Sequence, residues 1–114
     1  RLLPEAKAIL FAARKRGIIE IRAVNSAFDA AARLLAVYVE LDEDRTVAFR
    51  DPHKPAITVR FLDGFRNLCS HGLVIHHIYG DFSLAPRALQ LASFLKRTDL
   101  QDLLELATEF GLHD

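Results

Sequence analysis

The stretch from Leu73 to Leu84 constrains this chain more than any other. It is rich in β-forming residues, and Gly80-Asp81 between Tyr79 and Phe82 is the kind of dipeptide that closes a two-residue hairpin. In the segment before it, Ala56 to Ser70, a helical projection puts Ile57, Phe61, Phe65 and Leu68 on one face and Arg60, Asp63, Arg66 and Asn67 on the other. After it, Pro86 suits the opening of another helix, which would carry Ala88, Leu89, Leu91, Ala92 and Leu95. Helix, hairpin and helix in that order predict an α+β domain and exclude a regular alternation of parallel βαβ units.

The first half reads less simply. Pro4 suits a first helical position, and Ala6, Ile9, Leu10 and Ala13 recur at helical spacing, predicting a helix from Pro4 to Arg16 stopped by Gly17. Ile18 to Arg22 nearly alternates and predicts a short strand. Ser26 and Asp29 have the spacing of a capping box ahead of Phe28, Ala31, Leu35, Tyr38 and Val39, which predicts a second helix reaching Leu41. Ala30, Leu34, Val37 and Leu41 add a second apolar stripe, so this helix is expected to lie sandwiched at the centre or to bury a partner chain. Thr46 to Arg50 predicts another strand, and Asp51-Pro52-His53-Lys54-Pro55 a surface loop. Thr98 with Gln101 predicts the cap of a fifth helix lined by Leu100, Leu103, Leu104, Ala107 and Phe110. The expectation is one domain over residues 1–114, with about five helices, a hairpin and one or two further short strands.

A chain of 114 residues that is 51% apolar can bury one core without disulfides or metal. Fifteen basic residues balance fifteen acidic ones, so no global field points to nucleic acid or an anionic membrane. A single cysteine excludes an internal disulfide framework and fits a reducing compartment, so the expected location is the cytoplasm. No apolar run approaches the roughly 18 to 20 residues that span a bilayer, and Arg1-Leu2-Leu3-Pro4 lacks a signal-peptide core, so no membrane partner is expected. With no methionine in a sequence that opens at Arg1, a start codon is expected upstream.

Cys69, His71, His76 and His77 form the densest group of potential metal ligands. Adjacent His76 and His77 would point to opposite faces of a strand, and no paired C-x-x-C or H-x-x-x-H unit accompanies them, so no metal is expected. The ordinary reading is a small buried thiol and solvent-facing histidines. Ser26, Ser70, Ser83 and Ser93 lack a nucleophile elbow, Asp42-Glu43-Asp44 reads as a solvated charged loop, and the isolated glycines make no phosphate-binding loop. The chain is therefore expected to be no enzyme, with no catalytic residue and no cofactor.

The run Phe61-Leu62-Asp63-Gly64-Phe65-Arg66-Asn67-Leu68-Cys69-Ser70-His71-Gly72-Leu73-Val74 resembles the end of a winged helix-turn-helix recognition helix entering its first wing strand. Phe82-Ser83-Leu84-Ala85-Pro86-Arg87-Ala88-Leu89 resembles the second wing strand and following helix of the MarR and PadR types. There a Phe-x-Leu-Thr-x-x-Gly pattern is usual, and Ala85 and Ala88 stand at its threonine and glycine positions. The resemblance covers about a third of the chain. It implies a winged-helix-like, transcription-regulator module that binds double-stranded DNA as a homodimer.

On that reading, Thr58, Arg60, Arg66 and Asn67 on the third predicted helix, with Lys54 and Arg87 beside it, would face nucleic acid. Residues 53–97 hold six basic side chains against two acidic ones, a formal plus four, whereas residues 98–114 hold five acidic and no basic ones. Leu100, Leu103, Leu104, Ala107 and Phe110 would form the dimer element. The alternative is a protein-interaction or oligomerisation domain that binds no nucleic acid. The ordinary reading of the basic and polar residues is the solvated face of an amphipathic helix, and a carboxylate at the hairpin tip, Asp81, strengthens that reading, because phosphate would repel it.

Overall fold

Prolines and glycines set the element boundaries of this protein. In the computed structural model, which describes residues 1–24, 34–51 and 53–110, Pro4, Pro55 and Pro86 each sit in the first turn of a helix. The elements run α1 (Pro4–Ala12), β1 (Ile18–Val24), β2 (Leu34–Glu40), β3 (Thr46–Phe49), α2 (Pro55–Ser70), β4 (Val74–His76), β5 (Asp81–Leu84), α3 (Pro86–Ala92), α4 (Arg97–Leu104) and β6 (Thr108–Phe110). The class is α+β, as expected, with four helices among the described residues rather than about five. The strands form one six-stranded sheet in the order β4-β5-β1-β2-β3-β6, antiparallel at every pairing.

The largest departure from the sequence reading is the second predicted helix. Residues 34–40 are strand β2, paired with β1 through Ile19↔Val39 and Ile21↔Val37 and with β3 through Val37↔Phe49 and Val39↔Val47. The two apolar stripes have another explanation. Val37 and Val39 enter the main core, while Ala36 and Tyr38 form a separate buried patch with Ala48 on the opposite face. A strand buried on both faces reads as a continuous apolar run, and periodicity alone cannot tell such a run from a buried helix. Ser26, Phe28, Asp29, Ala30 and Ala31, which carried the helix prediction, lie outside the described residues. The segment is central as expected, but as a strand.

The main core lies between one sheet face and the helices. α2 crosses that face, with Phe61 against Phe49 of β3 at 4.6 Å between ring centres and Phe65 edge-on to Phe82 of β5 at 4.8 Å. α1 packs along α2, where Gly64 permits the closest approach. A Cβ at Gly64 would come within 2.8 Å of the Ala6 backbone nitrogen and the Glu5 Cβ. Ile9 and Leu10 of α1 are fully buried with Phe61 and Leu68 of α2.

The helix ends also differ from expectation. α1 stops at Ala12, and residues 13–16 form a turn before Gly17, whose φ of 70° closes it. α4 stops at Leu104, so Phe110 belongs to strand β6 rather than to a fifth helix. Nor is the expected capping box there, since the N-cap of α4 is Lys96 and it makes no side-chain cap bond.

Candidate interaction surfaces

The end of α2 determines how the hairpin is presented. The Leu73 N–H donates to the Leu68 carbonyl at 3.0 Å, and the Gly72 N–H donates to that of Cys69 at 3.0 Å. This is a Schellman ending, made possible by the φ of 67° at Gly72. The buried Leu73 then leads straight into β4. The turn of the hairpin is longer than the expected two residues. His77 to Gly80 form it, with the Gly80 N–H donating to the His77 carbonyl at 3.1 Å and the His77 N–H to the Asp81 carbonyl at 2.9 Å. Asp81 is the first residue of β5, paired with Glu20 of β1, and not part of the tip.

The six residues proposed for nucleic-acid contact come to different ends. Thr58 is 1% exposed, and its Oγ1 accepts a bond from the Asp51 N–H at 3.1 Å, so it pins the loop before α2 and has no free reach to a phosphate. Asn67 is half-buried, and its Oδ1 accepts from the Leu3 N–H at 2.8 Å, tying the chain start to α2. Arg60 donates through Nε, at 3.1 Å, and Nη2, at 2.5 Å, to Oε2 of Glu5, a buried carboxylate on α1. Arg66 pairs with Asp63 one turn earlier at 3.5 Å, and Arg87 donates to the His71 carbonyl at 2.6 Å. Lys54, the N-cap of α2, is exposed. Thus α2 rests on both α1 and the sheet, and its polar flank carries pairs made within the molecule while Arg60 and Arg66 stay more than half exposed.

The proposed dimer element is also mostly interior. Leu100 is buried, and Leu103, Leu104 and Ala107 pack against the main core from α4 and the turn after it, the helix lying against α1. The same periodicity that would serve a partner serves the chain's own core.

Among the described residues no group of three or more His, Cys, Asp or Glu side chains is placed to hold a metal ion. His76 stacks on Phe82 at 4.6 Å between rings, and His77 Nε2 lies 2.7 Å from Ser83 Oγ. Cys69 is exposed, contrary to the expected buried thiol, because the apolar face of α2 passes through Leu68 and leaves Cys69 on its outer side. Its partial burial still pushes the thiol pKa up from its ordinary value, which disfavours the reactive thiolate.

What the fold leaves open is the hairpin. β4 ends the sheet, and Ile75, Ile78 and Tyr79 are 46%, 94% and 95% exposed. From Leu73 to Gly80 the chain has no Lys, Arg, Asp, Glu or Pro, the residues that ordinarily protect a free sheet edge. Sequence reading found the hairpin but missed this feature. Its signal was present as an eight-residue run without charge or proline at a predicted strand.

Fold and surface together define an α+β domain with helices on one face of an antiparallel sheet and an apolar edge left unprotected. No protein-family model matches this chain, and no curated protein or solved structure matches it either. Among the described residues no helix is long and apolar enough to cross a membrane.

Proposed function

We propose that this domain acts in self-association, with the β4 edge and the 77–80 turn of one copy meeting the same edge of a second. The observation that carries this reading is the uncharged, proline-free edge with Ile75, Ile78 and Tyr79 exposed on it. A free edge offers a row of main-chain donors and acceptors, and antiparallel pairing of an edge with itself is self-complementary about a two-fold axis. The exposed side chains would supply the apolar burial that a three-residue strand cannot provide by hydrogen bonds alone.

The test is sedimentation equilibrium at low and high salt. A dimer that persists in high salt, and falls to monomer in Ile75→Lys/Ile78→Lys with an unchanged far-ultraviolet spectrum, is the expected result. A wild-type protein that stays monomeric at its highest soluble concentration would reject the reading.

Double-stranded DNA is the second reading, favoured by one observation. α2 runs directly into the hairpin, and β5 of that hairpin pairs with β1, the strand that follows α1. This connectivity supports the resemblance to winged helix-turn-helix domains. Lys54, Arg66 and Arg87 would then be the phosphate contacts, since the exposed Arg66–Asp63 pair is worth little and could open. An electrophoretic shift that weakens steeply with salt and is reduced in Arg66→Ala would favour it. Unchanged mobility on mixed fragments at low salt would dismiss it.

A further inference from the structure

Arg14 follows the end of α1, and Arg97 opens α4. Both guanidinium groups lie over one aromatic ring, their Cζ atoms 3.9 Å and 5.3 Å from the centre of Phe11. Arg14 donates one bond, to the Phe11 carbonyl at 2.8 Å. Among the residues whose side chains are described, no carboxylate pairs with either arginine, although Arg16, Arg22, Arg45, Arg60 and Arg66 all have one. Two like charges held together without a counter-ion raise the energy of the fold. Arg97 adds to this, because a cation in the first turn opposes the helix dipole. Burial first, and Arg97 second, pull the Arg14 pKa down from its ordinary value, although an arginine stays charged at neutral pH.

Both side chains line one cleft of about 90 Å³, whose other walls include Leu41, Val47 and Leu104. An apolar cavity of about 150 Å³ holds a benzene molecule, so this cleft admits an anionic head and a few carbon atoms, and its open mouth lets a longer body emerge. Paired guanidinium forks suit the two oxygens of a carboxylate, and the apolar walls suit an aliphatic stem. We propose that the Arg14–Arg97 cleft is a binding site for a short-chain aliphatic carboxylate, held by its head between the two guanidinium groups with its stem against Leu41, Val47 and Leu104.

The site is independent of the β4 edge, so its test does not depend on assembly. Butyrate, butyramide and inorganic phosphate are titrated separately into the isotope-labelled protein, and the Arg Nε–H resonances are followed by NMR. The expected result is a saturable shift of the Arg14 and Arg97 signals with butyrate and none with butyramide, the affinity falling about tenfold or more in Arg14→Gln and in Arg97→Gln. Removing one of two repelling cations should leave free Arg97→Gln at least as heat-stable as the wild type, which separates a ligand site from a structural one. A clear loss of stability would overturn the proposal, since it would mean that the pair already serves the fold, through the Phe11 ring or a counter-ion of the chain's own. Equal responses to butyrate and butyramide, or a response to phosphate alone, would also overturn it.

Discussion

Arg60 on α2 reaches across to Glu5 in the first turn of α1 and places two N–H groups on one carboxylate oxygen, Oε2. The contact joins residues 55 positions apart and pairs within the chain the cation that sequence alone would assign to an outside partner. The Glu5 side chain is 11% exposed and that of Arg60 54%, so the carboxylate bears most of the desolvation. Arg60→Ala should therefore cost about 1–3 kcal/mol by stranding Glu5, and Glu5→Gln with Arg60→Gln should recover part of that. Urea denaturation of the three proteins measures it. A cost near zero for Arg60→Ala would show that the pair is only a surface contact.

Gly64 is the point where α1 and α2 come closest, and even one methyl group there would meet the Ala6 backbone. Gly64→Ala ordinarily favours a helix by about 1 kcal/mol, but overpacking should outweigh this and destabilise by about 1–3 kcal/mol. The sign of the change in denaturation midpoint decides between the two effects.

Leu100 is buried within this chain, on a helix that packs against α1. Leu100→Ala should cost about 2–5 kcal/mol in stability without altering the oligomeric state of the protein that remains folded. Size-exclusion chromatography with light scattering checks the second half, and a shift in assembly without a loss of stability would return α4 to the role of a dimer element.

The turn between β2 and β3 is organised by Asp42. Its carboxylate accepts the Asp44 N–H at 2.9 Å and the Arg45 N–H at 3.0 Å, and Arg45 Nε donates to it at 2.9 Å. The bond from the Asp44 backbone, and then that from the Arg45 side chain, hold its pKa below the ordinary aspartate value. A lowered folded-state value means that the contribution is present above the unfolded pKa and is lost as pH falls through the folded one. Stability should thus decline as pH drops below about 4, with a shallower decline in Asp42→Asn. Thermal melts across that acid range would show parallel curves if Asp42 had no part in it.

Some of this was legible in the residues. α2 and the hairpin were, because an amphipathic stripe from Ile57 to Leu68 and a β-rich run punctuated by Gly72 and Gly80 are local signals. Pro4 and Pro86 marked two helix starts for the same reason, since a fixed φ acts where it stands, whereas Pro55, read as part of a loop, opens α2. Residues 34–40 were not legible. Leu34 to Val39 are apolar throughout, and only the presence of β1 on one side and β3 on the other makes them a strand.

The sequence by itself therefore determined α2, the hairpin and the helix starts at Pro4 and Pro86, with the apolar face of α2. Tertiary structure alone decided which charge meets which, spending Arg60 on Glu5 and Asn67 on Leu3 while bringing Arg14 and Arg97 over one ring. The physical reason is range. Periodicity and turn chemistry act within a few residues, whereas a pairing across 55 or 83 positions exists only after the chain has folded back, and no local pattern records it.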